Sequence, residues 1–244
     1  MIVDYPAGWP LFHEYEEEIK RKNRFFLSPK FVRLFKRIVN NESNINILSP
    51  NTPLFRARVN KPSGEFELVS ELRGNKNAPS ANRASPVGIP YTYLAEDAET
   101  AIAEIRANVS QLITVAEFRV ESEKRIITLS TYADYLCSGE SKLSSMEICS
   151  FILYLSHAFA APIKNDMDYL PCQYFAEYCK QCGFSGIRYV SAARGFTPTG
   201  AHYNYVIFKD EELVFREANL YKLANIKHTI SHEGPSFLKD DSNQ

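Results

Sequence analysis

Between residues 54 and 208 the chain carries more short β-branched and aromatic runs than helical patterns, and the two kinds do not alternate strictly. That ordering limits the fold more than any other feature. It predicts an α+β architecture around a mostly antiparallel or mixed sheet, with helices at its flanks. Strands are expected at 54–59, 91–95, 112–120, 125–129, 187–191 and 203–208. Asp97 is placed to cap a helix reaching about residue 109, with Ala98, Ala101, Ile102, Ile105 and Val109 on its apolar face. Residues 144–161 predict a mostly buried helix, and Pro171 and Gly183 bracket another.

A chain of 244 residues is long for one domain and short for two, so one core with a modest extension is expected. Residues 1–50 read as an N-terminal helical extension, in which Phe31, Leu34, Phe35, Ile38 and Val39 recur at helical spacing. Residues 51–228 form the main domain and 229–244 a polar C-terminal tail. Within the main domain, residues 60–90 are polar and contain Gly64, Gly74, Gly88 and four prolines. So long a loop suggests function or disorder, and this one carries Arg73, Lys76 and Arg83.

Lys+Arg 28 against Asp+Glu 29 gives a net charge of −1, so bulk attraction to nucleic acid or an anionic membrane is not expected. A phosphate-bearing partner would have to be caught by a local cluster. The opening MIVDYPAGWP has neither the basic nor the apolar region of a secretory signal. The most apolar stretch, 151–163, is too short to span a bilayer. Five cysteines, an odd count, suit reduced thiols in a cytoplasm better than a disulfide framework.

The sequence lacks GxGxxG after a strand, GxxxxGK[ST], HExxH and GxSxG, which removes support for P-loops, zincins and serine hydrolases. Cys179 and Cys182 make a lone CxxC that reads as two helix-face residues. The five histidines form no metal-ligand constellation, and His202 reads as a solvated loop residue; no metal is expected. Three positive signals remain. Arg56 and Arg58 share one strand face, and Arg83 precedes another strand; guanidinium groups grip phosphate oxygens in pairs. Glu104 sits among small apolar residues on a helix, where a carboxylate is either partnered or used. Ser191 ends a strand and enters a flexible loop containing Arg194, Gly195, Pro198 and Gly200, a candidate lid or inhibitor contact.

Five segments together resemble the RES-domain family, named for an Arg, a Glu and a Ser. They are Leu54-Phe55-Arg56-Ala57-Arg58, the run from Arg83 to Ala95, Thr100-Ala101-Ile102-Ala103-Glu104-Ile105-Arg106, the run from Gly186 to Ser191, and Asn204-Tyr205-Val206-Ile207-Phe208. The resemblance runs from about residue 54 to 210. It implies a fold like that of the ADP-ribosyltransferase toxins. It also implies cleavage of NAD⁺ at the nicotinamide–ribose bond, by phosphorolysis or hydrolysis, and action as a bacterial toxin neutralised by an Xre-like antitoxin. NAD⁺ is then a substrate, inorganic phosphate a possible co-substrate, and no cofactor is needed. By the same resemblance Arg56, Glu104 and Ser191 are the catalytic set, with Arg58 the alternative to Arg56. Tyr93, Arg83, Arg58 and Asn204 would bind NAD⁺. Asn82-Arg83-Ala84 lacks the glycine and tryptophan that flank this arginine in the family.

Two other functions fit the same residues: transfer of ADP-ribose to a protein or nucleic acid, and nucleotide binding without turnover. The chemistry favours cleavage. Nicotinamide in NAD⁺ is already a cationic leaving group, so one carboxylate suffices where ordinary glycoside hydrolysis uses two.

Overall fold

In the computed structural model, which describes residues 9–61, 64, 66, 68–74, 80–129, 143–163, 165–194, 196–197 and 200–225, the β-branched runs assemble into one eight-stranded sheet. Its strands are β1 (Ile45–Leu48), β2 (Pro53–Val59), β3 (Thr92–Ala95), β4 (Leu112–Val120), β5 (Lys124–Leu129), β6 (Gly186–Val190), β9 (Tyr203–Ile207) and β10 (Leu213–Lys222). A separate two-stranded ribbon joins β7 (Phe196–Thr197) to β8 (Gly200–Ala201). The main sheet runs β1-β5-β6-β9-β3-β2-β4-β10. Among the described residues of this sheet only β5 and β6 pair in parallel, and the other six pairings are antiparallel. Parallel neighbours need a long crossover, and here two helices lie on it, α5 (Leu143–Ala160) and α6 (Leu170–Gln181). The fold is α+β with a mixed sheet.

One sheet face is covered by α1 (Trp9–Glu17), α2 (Pro29–Asn40), α5 and α6. Phe31, Leu34, Phe35, Ile38 and Val39 of α2 are all buried. They pack with Phe12, Tyr15, Phe151 and Phe175 against Ile127, Ile187 and Val206 of the sheet. Phe35 meets Phe175 edge-on, 5.0 Å between centroids at 89°. Tyr15 OH donates to Pro171 O at 2.6 Å, tying α1 to the start of α6. A π-turn over Glu18–Lys22 continues α1. The opposite sheet face buries Leu54, Leu94, Phe118, Ile126, Tyr205 and Leu213, with α3 (Val69–Leu72) at its edge.

Three elements differ from expectation. Residues 45–48 lie in the segment expected to be helical, yet they form β1 and pair with β5. The Asn41 side chain accepts from Ser43 N and breaks the helix first, and a four-residue apolar run carries no period of its own. The helix capped by Asp97, α4 (Ala98–Glu104), stops well before residue 109, because Arg106 (φ 48°) and Ser110 (φ 72°) are left-handed. β10 was not anticipated: most of it is exposed on both sides, so the alternation that marks a half-buried strand is missing. Lys76, Gly195, Pro198, Cys137, His228, His232 and the 229–244 tail lie outside the described residues.

Arg73 serves the fold rather than a site. It donates to Asp210 O (2.8 Å) and Leu213 O (2.8 Å) and lies over the Phe118 ring. Cys149, Cys172, Cys179 and Cys182 are free thiols. No helix among the described residues is long and apolar enough to cross a membrane.

Gly186 is fixed by close approach, since a Cβ there would lie 2.2 Å from Val206 O across the β6–β9 ladder. Gly186→Ala is expected to destabilise the protein by about 3 kcal/mol, because backbone must move. Thermal denaturation measures this, and an unchanged melting temperature would contradict the β6–β9 register.

Candidate active site

The sheet is not continuous at its centre. β3 pairs with β9 over four residues but with β2 only through Phe55 and Ala95. Beyond that pair β2 and β3 part. Arg56 Nη1 donates to Tyr93 O at 3.0 Å, using a carbonyl on the divergent stretch of β3. The cleft so opened is a cavity of about 460 Å³, lined by residues of β2, β3, α4, β6, β9 and the 80–91 loop.

Arg56, Arg58, Arg83, Tyr93, Glu104 and Asn204 all line this cavity. They span 149 positions in the chain (56 to 204), so the grouping is a product of the fold and not of local sequence. Three guanidinium groups face one carboxylate, which suits a ligand carrying more than one negative charge. Arg56 lies deep, and its Nε is buried with no hydrogen-bond partner. Burial, with the Arg58 cation adding to it, lowers its pKa to about 10. The group is still cationic at neutral pH, incompletely solvated, and prepared to gain from an anion. Arg58 Nη2 donates to Arg73 O at 3.3 Å, and burial also lowers its pKa.

Ser191 lies behind Glu104 rather than on the cavity wall. It is 1% exposed, and its Oγ donates to Glu104 Oε1 at 2.5 Å. The same Oγ accepts from Arg194 N at 3.2 Å, which directs the hydroxyl proton towards the carboxylate. Asn204 Nδ2 donates to the same Oε1 at 2.8 Å, with Ala193 N more distant at 3.5 Å. Every hydrogen-bond partner of Glu104 among the described residues thus converges on Oε1, which leaves Oε2 for a ligand. Ser191, expected in the catalytic set, has its hydroxyl directed at the glutamate rather than into the cavity. Such prior orientation is how fixed dipoles assist a transition state.

Tyr93, expected to bind NAD⁺, lines the cavity. Its hydroxyl is committed to the 82–91 loop, accepting from Ala84 N (2.9 Å) and Ser85 N (3.2 Å), while burial raises its pKa. Gln173 of α6 holds the other side of that loop, its Nε2 donating to Asn82 O (2.9 Å) and Ser85 O (3.2 Å). Arg83, between these anchors, donates to Ala158 O at 3.0 Å near the end of α5. Tyr93→Phe is expected to strand two backbone N–H groups, costing about 2 kcal/mol in stability and loosening Arg83. Urea denaturation tests this; an unchanged midpoint would remove the positioning role of Tyr93.

Sequence reasoning missed Tyr189 and the roles of Gln173, His202 and Arg194. Tyr189, 6% exposed, lines the cavity beside Glu104, and the period-two alternation of β6 with inward Ile187 could have placed it. His202 is not a solvated loop residue: its Nδ1 lies 3.2 Å from Glu96 Oε1 and 3.5 Å from Asp97 Oδ2. These three side chains are close enough to hold a cation. Arg194 bridges Asp97 (3.4 Å) and Glu99 (2.8 Å), which fastens the Ser191 turn to α4. His202 O accepts from Ser191 N at 2.8 Å. No sequence signal marks these contacts, because they join β3–α4 to a loop about a hundred residues later.

A family model described as "RES domain" matches residues 53–221, more than half of the chain. Comparison with curated proteins gives no match. Among solved structures, a chain of the M. tuberculosis MbcT–MbcA toxin–antitoxin complex matches at 14% identity and a TM-score of 0.45, covering 78% of this chain and 92% of that one.

Proposed function

The chain belongs to the RES-domain family, and from that premise and the charge pattern of the cleft we propose that it cleaves NAD⁺ between nicotinamide and ribose. The observation that carries this reading is the convergence of Arg56, Arg58 and Arg83 with a single oriented carboxylate, Glu104, in one cavity of about 460 Å³. A pyrophosphate carries two negative charges. Arg56 and Arg83, both on the cavity wall, clamp it while Arg56 Nη1 and Arg83 Nη1 stay anchored on Tyr93 O and Ala158 O. Holding the dinucleotide still accounts for much of the rate.

The leaving group decides the rest. Nicotinamide departs with the electron pair of its C1′–N bond and becomes neutral, so no acid has to protonate it. The ribose left behind resembles an oxocarbenium ion. Glu104, held by Ser191 and Asn204, sets its free oxygen against that charge. A carboxylate about 4 Å from a unit positive charge is worth about 4 kcal/mol at an effective dielectric near 20. Tyr189 and Ala101 beside it limit water and so limit screening.

Uncontrolled NAD⁺ consumption would stop the growth of the cell that makes the enzyme. The proposal therefore extends to a toxin held in check by an antitoxin protein of the Xre-like kind. Mass spectrometry of NAD⁺ incubated with the purified chain tests the chemistry. Free nicotinamide with ADP-ribose or its 1-phosphate supports it; label carried onto a macromolecule would favour ADP-ribosyl transfer; intact NAD⁺ would refute cleavage.

A further inference from the structure

The chain as a whole has no excess of positive charge with which to attract a polyanion, but its N-terminal extension does. Residues 18–40 hold eight Lys and Arg against a single acid, Glu18, in a chain whose net charge is −1. Glu18 is engaged internally: its backbone O accepts from Asn23 N at 2.7 Å and its Oε1 from Ser28 N at 2.5 Å, which closes the turn leading into α2. Inside that turn Phe26 N donates to Asn23 Oδ1 at 3.3 Å, and Asn23 Nδ2 donates back to Phe26 O. The turn buries Leu27 and exposes the residues before it. Phe25 and Phe26 are each 79% exposed, more than any other large apolar side chain among the described residues. Grouped apolar side chains left in water and rimmed by polar ones mark an interaction surface.

The helix that follows continues the surface. α2 buries Phe31, Leu34, Phe35, Ile38 and Val39 and contains no acidic residue. Its exposed side carries Lys30, Arg33, Lys36 and Arg37. Lys30, Arg33 and Arg37 are spaced by three and four, which makes one stripe about 10 Å long at 1.5 Å per residue. Arg21 pairs with Glu17 and Lys30 with Glu14. The side chains of Lys22, Arg24, Arg33, Lys36 and Arg37 make no hydrogen bond or ion pair among the described residues. Five unneutralised cations therefore accompany two projecting aromatic rings.

We propose that this face of the N-terminal extension is a membrane-surface contact: Phe25 and Phe26 enter the headgroup–acyl boundary of an anionic bilayer, while Lys22, Arg24 and the α2 stripe lie on lipid phosphates. Charge and polarity both complement that occupant. Each unpaired cation near an anionic leaflet adds to binding, and the two rings leave water for an apolar phase. Shape selects a bilayer over single-stranded nucleic acid. Aromatic rings that stack on bases lie on the floor of a groove or sheet, whereas Phe25 and Phe26 stand on a projecting turn with little protein behind either ring. Such a contact lies along the surface and needs no spanning helix. The patch falls outside residues 53–221, where the RES model matches, so it belongs to the extension and is independent of the NAD⁺-cleaving reading.

Co-sedimentation of the full chain with phosphatidylcholine vesicles, with and without phosphatidylglycerol, tests this. Binding is expected with the anionic vesicles, far less with the neutral ones, and is expected to reverse on adding salt. Arg33→Glu combined with Arg37→Glu should lower the partition coefficient by about thirtyfold or more, and Phe25→Ser combined with Phe26→Ser by about tenfold or more. These side chains are exposed, so both double variants should melt within a few degrees of wild type. A Phe26→Trp variant should shift its fluorescence to the blue on adding anionic vesicles, beyond any change that Trp9, the single native tryptophan, gives in wild type. Three results would overturn the contact: no binding to anionic vesicles, binding that neither double variant weakens, or binding lost in the arginine variant and unchanged in the phenylalanine variant. Capture of single-stranded RNA or DNA through the same side chains, by a chain that ignores anionic vesicles, would also overturn it and make the surface a nucleic-acid contact.

Discussion

Glu104→Gln is expected to lower nicotinamide release by about a thousandfold while the protein melts within a few degrees of wild type. The size follows from losing the carboxylate charge at the developing oxocarbenium ion; removal of one oriented electrostatic group costs about 3–4 kcal/mol in a transition state. The stability expectation follows from the contacts. Ser191 Oγ at 2.5 Å and Asn204 Nδ2 at 2.8 Å both donate to one oxygen, and a glutamine carbonyl can accept from both. The neighbouring Ala101 and Tyr189 are undisturbed by an isosteric change. Stopped assays of nicotinamide with parallel thermal scans check both halves. Wild-type turnover in the variant would show that the carboxylate does not act at the ribose.

Arg56 gives the second large effect. Arg56→Met should reduce kcat/KM for NAD⁺ by about a hundredfold or more, since a charge-assisted contact to phosphate is worth about 1.5–3 kcal/mol and more than one is lost. It should not destabilise the fold to match. Wild type holds a cation with a buried, unpaired Nε and a pKa lowered to about 10 by burial, and an apolar side chain of similar length removes that penalty. Arg56→Lys should recover little activity, because a lysine presents a point charge where the pyrophosphate takes a fork. Full recovery by lysine would shift the phosphate-binding role to Arg58 or Arg83. Steady-state kinetics on the two variants, with melting curves, separate these outcomes.

Much of this site was readable in the sequence, for a definite reason. Arg56, Arg83 and Glu104 are residue types that chemistry singles out; Arg56 and Glu104 sit in a strand and a helix whose patterns fix their faces, and Arg83 lies in the loop before β3. α2 shows the same strength, since all five of its periodic apolar residues are buried. What escaped was anything defined by contact between distant segments. Gln173 falls in the helix that Pro171 and Gly183 bracket, yet its side chain holds the Arg83 loop through Asn82 O and Ser85 O. His202 looked solvated because it falls in a loop that contains Gly195, Pro198 and Gly200, yet Glu96 and Asp97 reach it. Ser191 was placed in the site, but its direction depends on Arg194 N, which only a folded turn defines. The same holds for β10, which follows β4 along an edge and buries too little to show a period.

The central claim is that these dispersed side chains form one cradle for an intact dinucleotide, and calorimetric titration of NAD⁺ into the Glu104→Gln protein tests it most directly. The arrangement predicts saturable binding of one NAD⁺ per chain, abolished when Arg56→Met is added. An absence of binding, or binding indifferent to Arg56, would contradict it.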